Sequence, residues 1–188
     1  AWVIPLLLNG EKDIIGQAQT GTGKTAAFAP PILERLDIKS KNIQTLVLAP
    51  TRELAIQVAE EIKSFADTWV KVQLLYGGQN IRDELMWLRR WPQIVVGTPG
   101  RVIDHLTKRR TLKIENLKYF ILDEADEMLN IGFKDEIEEI IEYTPKEKKV
   151  LLFSATMPRS IKDIVNKYIK DHDLVAIERK ELTNSNIE

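Results

Sequence analysis

The residues with the clearest capacity for chemistry form a glycine-rich loop near the start of the chain. Gly21 and Gly23 allow the backbone to curl so that its N–H groups point at phosphate oxygens, and a following helix would add the positive end of its dipole. Lys24 can reach the β- and γ-phosphates, and the Thr25 hydroxyl can ligate Mg²⁺. A plain turn would explain one glycine, but not Gly-Lys-Thr at the start of a helix. The segment therefore predicts a nucleotide site formed by eight residues: Ala18, Gln19, Thr20, Gly21, Thr22, Gly23, Lys24 and Thr25.

A second candidate site consists of the acidic residues that follow the apolar segment Tyr119–Leu122. Asp123 would hold Mg²⁺, partly through water, and Glu124 would orient and deprotonate an attacking water as a general base. The alternative is that these acidic residues only stabilise a helix N-terminus. Together with the glycine-rich loop, they favour a catalytic group made of Lys24, Asp123 and Glu124.

These loops need a scaffold, and the chain alternates apolar, β-branched segments with helical patterns. Continuous apolar runs are typical of strands covered on both faces. The alternation predicts an α/β fold with a mostly parallel sheet of about seven strands and helices on both faces, whose ligands bind beyond the carboxyl ends of the strands. The predicted strands are Asp13–Gln17, Thr45–Ala49, Val70–Leu75, Gln93–Val96, Tyr119–Leu122, Val150–Phe153 and Leu174–Ile177. The predicted helices are Lys24–Leu36, Arg52–Ala66, Ile81–Arg90, Gly100–Thr107, Lys134–Tyr143 and Ser160–Ile169.

Composition excludes several classes of protein. The chain has 188 residues, a net charge of −1 and no cysteine, which rules out disulfides, thiolate metal sites and thiol catalysis. The absence of cysteine fits a reducing compartment. We expect a cytoplasmic protein without a membrane span or a secretory signal. The two histidines, His105 and His172, are predicted to be solvated surface residues rather than metal ligands.

Further motifs follow the predicted strands in a fixed order: Pro50-Thr51-Arg52-Glu53-Leu54, Gly77-Gly78, Thr98-Pro99-Gly100-Arg101, Asp123-Glu124-Ala125-Asp126 and Ser154-Ala155-Thr156. With the glycine-rich loop, they resemble the DEAD-box ATP-dependent RNA helicases over nearly the whole chain. The general phosphate-loop pattern begins with glycine, but that family's loop begins with alanine, as here at Ala18. The resemblance implies a RecA-like P-loop NTPase fold that uses ATP and Mg²⁺.

The resemblance also implies a set of RNA-binding residues. Thr51, Arg52, Gly78, Thr98 and Arg101 would grip the sugar–phosphate backbone of single-stranded RNA. Hydroxyls, backbone N–H groups and guanidinium groups are the donors that phosphate needs, and none of these residues reads a base edge. Each also has a simpler interpretation: Thr51 as a helix N-cap, Gly78 as part of a turn, and Arg101 as a surface ion pair.

In this family, Ser154 and Thr156 would hydrogen-bond to Asp126 and couple the ATP site to the face between two domains. Small hydroxyl residues at a strand end can equally be turn formers. We expect residues 1–178 to form the RecA-like domain and residues 179–188 to begin an inter-domain linker. The family's adenine-recognition segment and second RecA-like domain are expected to be missing, so that this chain alone would bind nucleotide weakly and hydrolyse it hardly at all.

Tryptophans around the predicted helix Ile81–Arg90 depart from the family pattern. Trp87 and Trp91 have i,i+4 spacing, which would place them on one helical face, away from the apolar stripe of that helix. With Trp69 they predict either rings that cap the edge of the core or an exposed patch for a protein partner or self-association. The second possibility keeps open an alternative function, that of a natural or engineered binding scaffold.

Overall fold

An all-parallel sheet of seven strands organises the part of the chain that the structure describes. The structure is a computed structural model and describes residues 7, 10, 12–19, 21–169 and 171–177. The strands lie in the order β3-β4-β2-β5-β6-β1-β7. Their bounds are β1 Asp13–Ala18, β2 Thr45–Leu48, β3 Val72–Leu75, β4 Ile94–Gly97, β5 Tyr119–Leu122, β6 Lys149–Ser154 and β7 His172–Ile177.

Helices connect successive strands and cover the two faces of the sheet. Their bounds are α1 Lys24–Glu34, α2 Arg52–Phe65, α3 Ile81–Leu88, α4 Pro99–Ile103, α5 Ala125–Ile131, α6 Lys134–Glu142 and α7 Arg159–Tyr168. A π-helical segment, Asp104–Lys108, continues directly from α4. A helix between each strand and the next is the usual connection of parallel strands, so the α/β prediction is confirmed.

The core has two parts, one on each face of the sheet, because successive side chains of a strand point to opposite faces. In β2, Leu46 and Leu48 belong to one apolar cluster and Val47 to the other, and all three are fully buried. Burying each such side chain stabilises the fold by about 1.5–3 kcal/mol relative to exposure. This two-sided burial explains why the strands read as continuous apolar runs in the sequence.

Several predicted elements need correction. The predicted helix Ile81–Arg90 ends at Leu88, and the predicted helix Gly100–Thr107 is a short α-helix followed by a π-helical segment. The helix Ala125–Ile131 had not been predicted, because its first residues belong to the acidic motif. The proposed linker, residues 179–188, lies outside the described residues. Within those residues, no helix is long and apolar enough to cross a membrane.

Strand order decides which motifs become neighbours. In a parallel sheet all carboxyl ends lie at one edge, which we call the carboxyl edge, and the opposite edge is the amino edge. The residues following β1, β5 and β6 lie on one half of the carboxyl edge, and those following β2, β3 and β4 lie on the other half. The predicted nucleotide and RNA residues therefore occupy separate halves of one edge.

Candidate nucleotide and RNA site

The phosphate loop connects β1 to α1 through two glycines in the left-handed region. Gly21 has φ 79° and Gly23 has φ 76°, and a Cβ atom at either position would meet nothing within 4 Å. Glycine is thus favoured here by backbone conformation, not by lack of space. The first turn of α1 itself contains no acidic residue. Thr20, part of the predicted loop, lies outside the described residues.

At the start of α1, the Lys24 side chain turns toward the acidic motif after β5. Its Nζ atom lies 3.0 Å from an oxygen of Asp123 and 2.5 Å from Glu124 Oε1. All three residues are at most 6% exposed. Lys24 therefore contacts both of the other predicted catalytic residues, Asp123 and Glu124.

Backbone conformation helps to direct Glu124 toward Lys24. Glu124 has φ 52° and ψ 50°, a left-handed conformation that is unusual outside glycine, asparagine and aspartate. It occupies the N-cap position of α5, but its side chain makes no capping hydrogen bond. Its backbone N–H donates instead to Asp123 Oδ1 over 3.1 Å. Such strained backbone is often found where a side chain must be held in a functional position.

The charges of this group depend on one another. Burial alone would lower the pKa of Lys24, but the carboxylates of Asp123 and Glu124 hold it above its ordinary value. Burial raises the pKa of Asp123, and the Lys24 ammonium opposes that rise. Lys24 therefore remains protonated at neutral pH, and it is the counter-charge that allows the two acids to be buried together.

A cavity of about 430 Å³ opens beside this group, lined by the phosphate loop, the acidic motif and one side of α2. This volume lies within the range of small-molecule and cofactor sites. Lys24, Thr25, Asp123 and Glu124 all line it. Within the described ranges, no group of three or more His, Cys, Asp or Glu residues could hold a metal ion by itself. Such a site suits Mg²⁺, which binds through one or two protein oxygens together with substrate phosphates and water.

The predicted coupling residues form a connected group between β5 and β6. Asp126 Oδ2 accepts from Thr156 Oγ1 over 2.8 Å and from the Thr156 backbone N–H over 3.0 Å. Ser154 Oγ accepts from the Asp126 N–H over 3.2 Å and donates to the Thr156 carbonyl over 2.7 Å. Burial alone would raise the pKa of Asp126, but these hydrogen bonds lower it below its ordinary value.

The other half of the carboxyl edge holds the predicted RNA residues. Thr51 follows β2 and caps α2, since its hydroxyl accepts from the Leu54 N–H over 3.3 Å. Arg52 is exposed, with its guanidinium carbon 4.9 Å from the centre of the Tyr76 ring. Gly78 lies in the exposed turn after β3, and Thr98 is the N-cap of α4 without a side-chain capping bond. The simpler interpretation of Thr51 as an N-cap is thus correct, and it leaves the hydroxyl proton available.

Arg101, the fifth predicted RNA residue, lies in a polar cluster that the sequence did not reveal. Its Nε and Nη2 atoms lie 2.9 and 2.8 Å from Glu84 Oε2, and Nη2 also donates to the Gln79 carbonyl over 3.1 Å. The Arg101 side chain is only 14% exposed and that of Glu84 2%. The ion pair therefore exists but is not a surface one, and it ties α3 and α4 to the turn after β3.

His105 belongs to the same cluster, so the prediction that it is a solvated surface residue was wrong. It is fully buried, with Nε2 3.0 Å from Glu84 Oε2 and Nδ1 2.7 Å from Thr111 Oγ1. Charged neighbours in the sequence suggested exposure, but His105 lies within the π-helical segment and faces inward. The buried carboxylate at Glu84 lies between the apolar positions Ile81, Leu85 and Leu88 of α3. A carboxylate at this core-facing position of the helix was the sequence signal that could have revealed the polar cluster. His172 is half-buried.

The tryptophans are exposed, but they do not form the predicted common face. Trp69, Trp87 and Trp91 are 74%, 46% and 52% exposed. Because α3 ends at Leu88 and Trp91 has φ 58°, the i,i+4 relation between Trp87 and Trp91 does not apply. The three rings line three different depressions of the surface.

Comparison with known proteins agrees with this arrangement. The sequence profile of the family described as DEAD/DEAH box helicase matches residues 1–164. The chain is 54% identical over 181 residues to the ATP-dependent RNA helicase CshA of Limosilactobacillus reuteri, covering 96% of this chain and 36% of that protein. It is 52% identical over 189 residues to the DEAD-box ATP-dependent RNA helicase CshA of Bacillus subtilis, covering 100% of this chain and 38% of that protein. The chain thus spans well under half the length of these relatives.

Solved structures lead to the same family. The fold superimposes on a DEAD box protein from the hyperthermophile Methanococcus jannaschii with a TM-score of 0.89 and 49% identity, covering 94% of this chain and 48% of that chain. A hypothetical ATP-dependent RNA helicase from Sulfolobus tokodaii matches with a TM-score of 0.82 and 37% identity, over 93% of this chain and 50% of that chain. The sheet is therefore RecA-like, and the chain belongs to the DEAD/DEAH box helicase family.

Proposed function

We propose that this chain is the ATP- and RNA-binding core domain of a DEAD-box RNA helicase. ATP with Mg²⁺ would bind on the half of the carboxyl edge that holds the phosphate loop. Single-stranded RNA would bind on the other half, and in the whole protein a second RecA-like domain would complete the site. ATP hydrolysis would then be coupled to the unwinding of RNA duplexes. The names of the relatives support this proposal.

The observation that carries the nucleotide proposal is the contact of Lys24 with Asp123 and Glu124. A buried ammonium held by two carboxylates at the mouth of a cavity is ready to exchange one anionic partner for another. Phosphate groups entering beside Gly21 and Gly23 would meet loop N–H groups, the start of α1 and the Lys24 ammonium. Thr25 and Asp123 would hold Mg²⁺, which would neutralise charge on the phosphates.

Glu124 is the residue that we assign to the attacking water. Once Lys24 turns toward phosphate, the Glu124 carboxylate loses its cation and can accept a hydrogen bond from water. Its strained backbone keeps the carboxylate close to Asp123 and Lys24. Hydrolysis therefore needs the exchange of the Lys24 partners as well as the correct position of the water.

The RNA proposal rests on the position and chemistry of the donors. Thr51, Arg52, Gly78 and Thr98 offer hydroxyl, guanidinium and backbone N–H groups, which suit phosphate and ribose oxygens. Arg101 would hold the turn after β3 in place while its remaining N–H groups reach the RNA backbone. Binding of this kind is independent of base sequence, and recognition of the ribose 2′-OH would favour RNA over DNA.

A titration with a fluorescent ADP analogue, with and without Mg²⁺, tests the nucleotide proposal. We expect the original chain to bind the ADP analogue saturably. Lys24→Ala should lose affinity by a factor of about ten or more, because one charge-assisted contact with phosphate contributes about 1.5–3 kcal/mol. Lys162→Ala, on the exposed side of α7, serves as the matched control and should bind like the original chain. Equal affinities for the original chain and Lys24→Ala would contradict the proposal.

A further inference from the structure

A second pocket of about 410 Å³ lies between the start of β2, the end of α3 and the segment before β5. Its lining includes Ile43, Pro92 and Thr111, which precede β2, β4 and β5 in the sequence. In a parallel sheet these positions lie at the amino edge, opposite the nucleotide and RNA residues. The proposed function therefore makes no use of this pocket, which we call the amino-edge pocket.

The amino-edge pocket combines an apolar floor with a basic rim. Ile43 and Pro92 are buried, Leu85 and Leu88 are half-buried, and the Trp91 ring is 52% exposed. The rim carries four exposed cations against one carboxylate, Glu115: Lys41, Arg89, Arg110 and Lys113. A surface that unites apolar contact area with a strong excess of one sign of charge is typical of a binding site rather than of ordinary solvated surface.

Backbone strain is concentrated in the same place. Among the described residues, three that are not glycine have φ in the left-handed region: Trp91 at 58°, Arg110 at 53° and Glu124 at 52°. The first two line the amino-edge pocket, and the third is the proposed general base. Left-handed backbone is unfavourable for bulky residues, and after the end of a helix, where both residues stand, glycine is the usual residue. The pocket thus has two strained residues where a glycine would fit the backbone better.

From these features we infer that the amino-edge pocket binds an acidic peptide segment of a partner protein, with one apolar side chain seated on the floor. The four cations would meet aspartate or glutamate side chains, and the floor would take a leucine or an aromatic residue. An aliphatic floor favours a peptide over single-stranded nucleic acid, which stacks its bases on aromatic rings. Trp91 is the one aromatic residue of the lining, and the Lys41 ammonium lies 5.8 Å from the centre of its ring.

The test uses the whole chain, immobilised and panned against a displayed library of short random peptides. We expect enrichment of peptides with several acidic residues around one large apolar residue. A synthetic peptide of that sequence should bind in fluorescence anisotropy and should bind more weakly as salt is added. Affinity should fall at least about tenfold in Arg110→Gly with Lys113→Ser, which removes two cations of the rim.

Glycine fits the left-handed backbone at position 110, so this variant should fold, and its thermal midpoint checks that it does. Lys162→Ser is the control with an equally exposed cation outside the pocket, and Lys24→Ala should keep full peptide affinity. Failure of nucleotide binding would therefore leave this result untouched. Enrichment of neutral or basic peptides, or peptide binding that the double variant retains, would overturn the inference. Binding of single-stranded RNA that is lost in the same double variant would also overturn the inference, because it would assign the pocket to nucleic acid.

Discussion

At the residue scale, the feature with the largest consequence is the shared environment of Lys24, Asp123 and Glu124. The Lys24 ammonium contacts two buried acids, and the pKa values of Lys24 and Asp123 are both shifted by that contact. In the proposed function, Lys24 exchanges its carboxylate partners for phosphate when nucleotide binds. The attraction between Lys24 and the two carboxylates therefore opposes nucleotide binding. Changes to the acids should therefore alter nucleotide affinity even where the acids do not contact nucleotide.

Glu124→Gln tests this exchange. The neutral amide holds the Lys24 ammonium less strongly, so we expect ADP affinity to be several-fold higher, while any ATP hydrolysis is lost. Glu127→Gln, which changes an exposed carboxylate on α5, should alter neither property. Fluorescence titration gives the affinity and phosphate release gives the rate. A tenfold or greater loss of ADP affinity in Glu124→Gln would show that Glu124 contributes directly to nucleotide binding.

Thr156→Val tests the contact with Asp126. It removes the hydroxyl bond but leaves the bond from the backbone N–H, so the free energy of unfolding at about pH 7 should fall by about 1 kcal/mol. The folded-state pKa of Asp126 is lowered, so its contribution to stability is present above the ordinary pKa of about 3.9 and is lost as pH falls through the folded value. The difference between variant and original chain should therefore shrink below about pH 4. Urea unfolding at several pH values measures it, and a difference that stays constant in acid would exclude the ionised carboxylate as the cause.

Residue types and spacing were sufficient to locate most of the site, but not its internal contacts. The loop from Ala18 to Thr25 and the acids after β5 were predicted as a candidate site because phosphate binding and Mg²⁺ binding would need particular side chains at particular distances along the chain. That Lys24 contacts both acids could not be predicted, because the partners are separated by about a hundred residues. Contacts of that kind depend on strand order, which periodicity alone does not determine.

At the element scale, strands were easier to predict than the segments that join them. Burial on both faces gives a parallel strand a continuous apolar run, and each predicted strand overlaps an observed one. The helix Ala125–Ile131 has no capping side chain and begins within the acidic motif, so no start signal marked it. The π-helical segment Asp104–Lys108 contains the buried His105, whose partner Glu84 comes from another helix. Tertiary contact, rather than local propensity, accounts for its position.

The Glu84 cluster yields a prediction at this scale. Glu84→Ala would remove the carboxylate nearest to the largely buried Arg101 and one hydrogen-bond partner of His105. Removing one partner of a buried ion pair typically costs about 3–5 kcal/mol, so we expect a loss near the lower figure and a clear drop in the thermal midpoint. Met86→Ala, at an exposed position of the same helix, should change stability by no more than about 0.5 kcal/mol. Equal midpoints for the two variants would show that the cluster does not hold α3 and α4 together.

At the scale of the whole molecule, the sheet gives each edge its own chemistry. In the proposed function, nucleotide would bind at the half of the carboxyl edge formed by β1, β5 and β6, and RNA at the half formed by β2, β3 and β4, with Asp126, Ser154 and Thr156 beside the nucleotide half. The amino edge carries the pocket that we assign to an acidic peptide. Because β5 pairs with β2, the acidic motif and the motif that begins at Pro50 follow neighbouring strands. A change at one half of the carboxyl edge could thus reach the other through adjacent loops.

We expect nucleotide and RNA to bind to different halves of the carboxyl edge. Amide NMR spectra of the isotopically labelled chain test this expectation most directly. Adding ADP with Mg²⁺ should shift the amide signals of Gly21, Gly23, Lys24 and Asp123 with a common saturation curve. Adding a short single-stranded oligouridine should shift those of Thr51 and neighbouring residues of the RNA half, with smaller changes at the phosphate loop. ADP shifts that do not saturate, or that fall outside the loop and the acidic motif, would contradict the account. So would an RNA footprint on the amino edge.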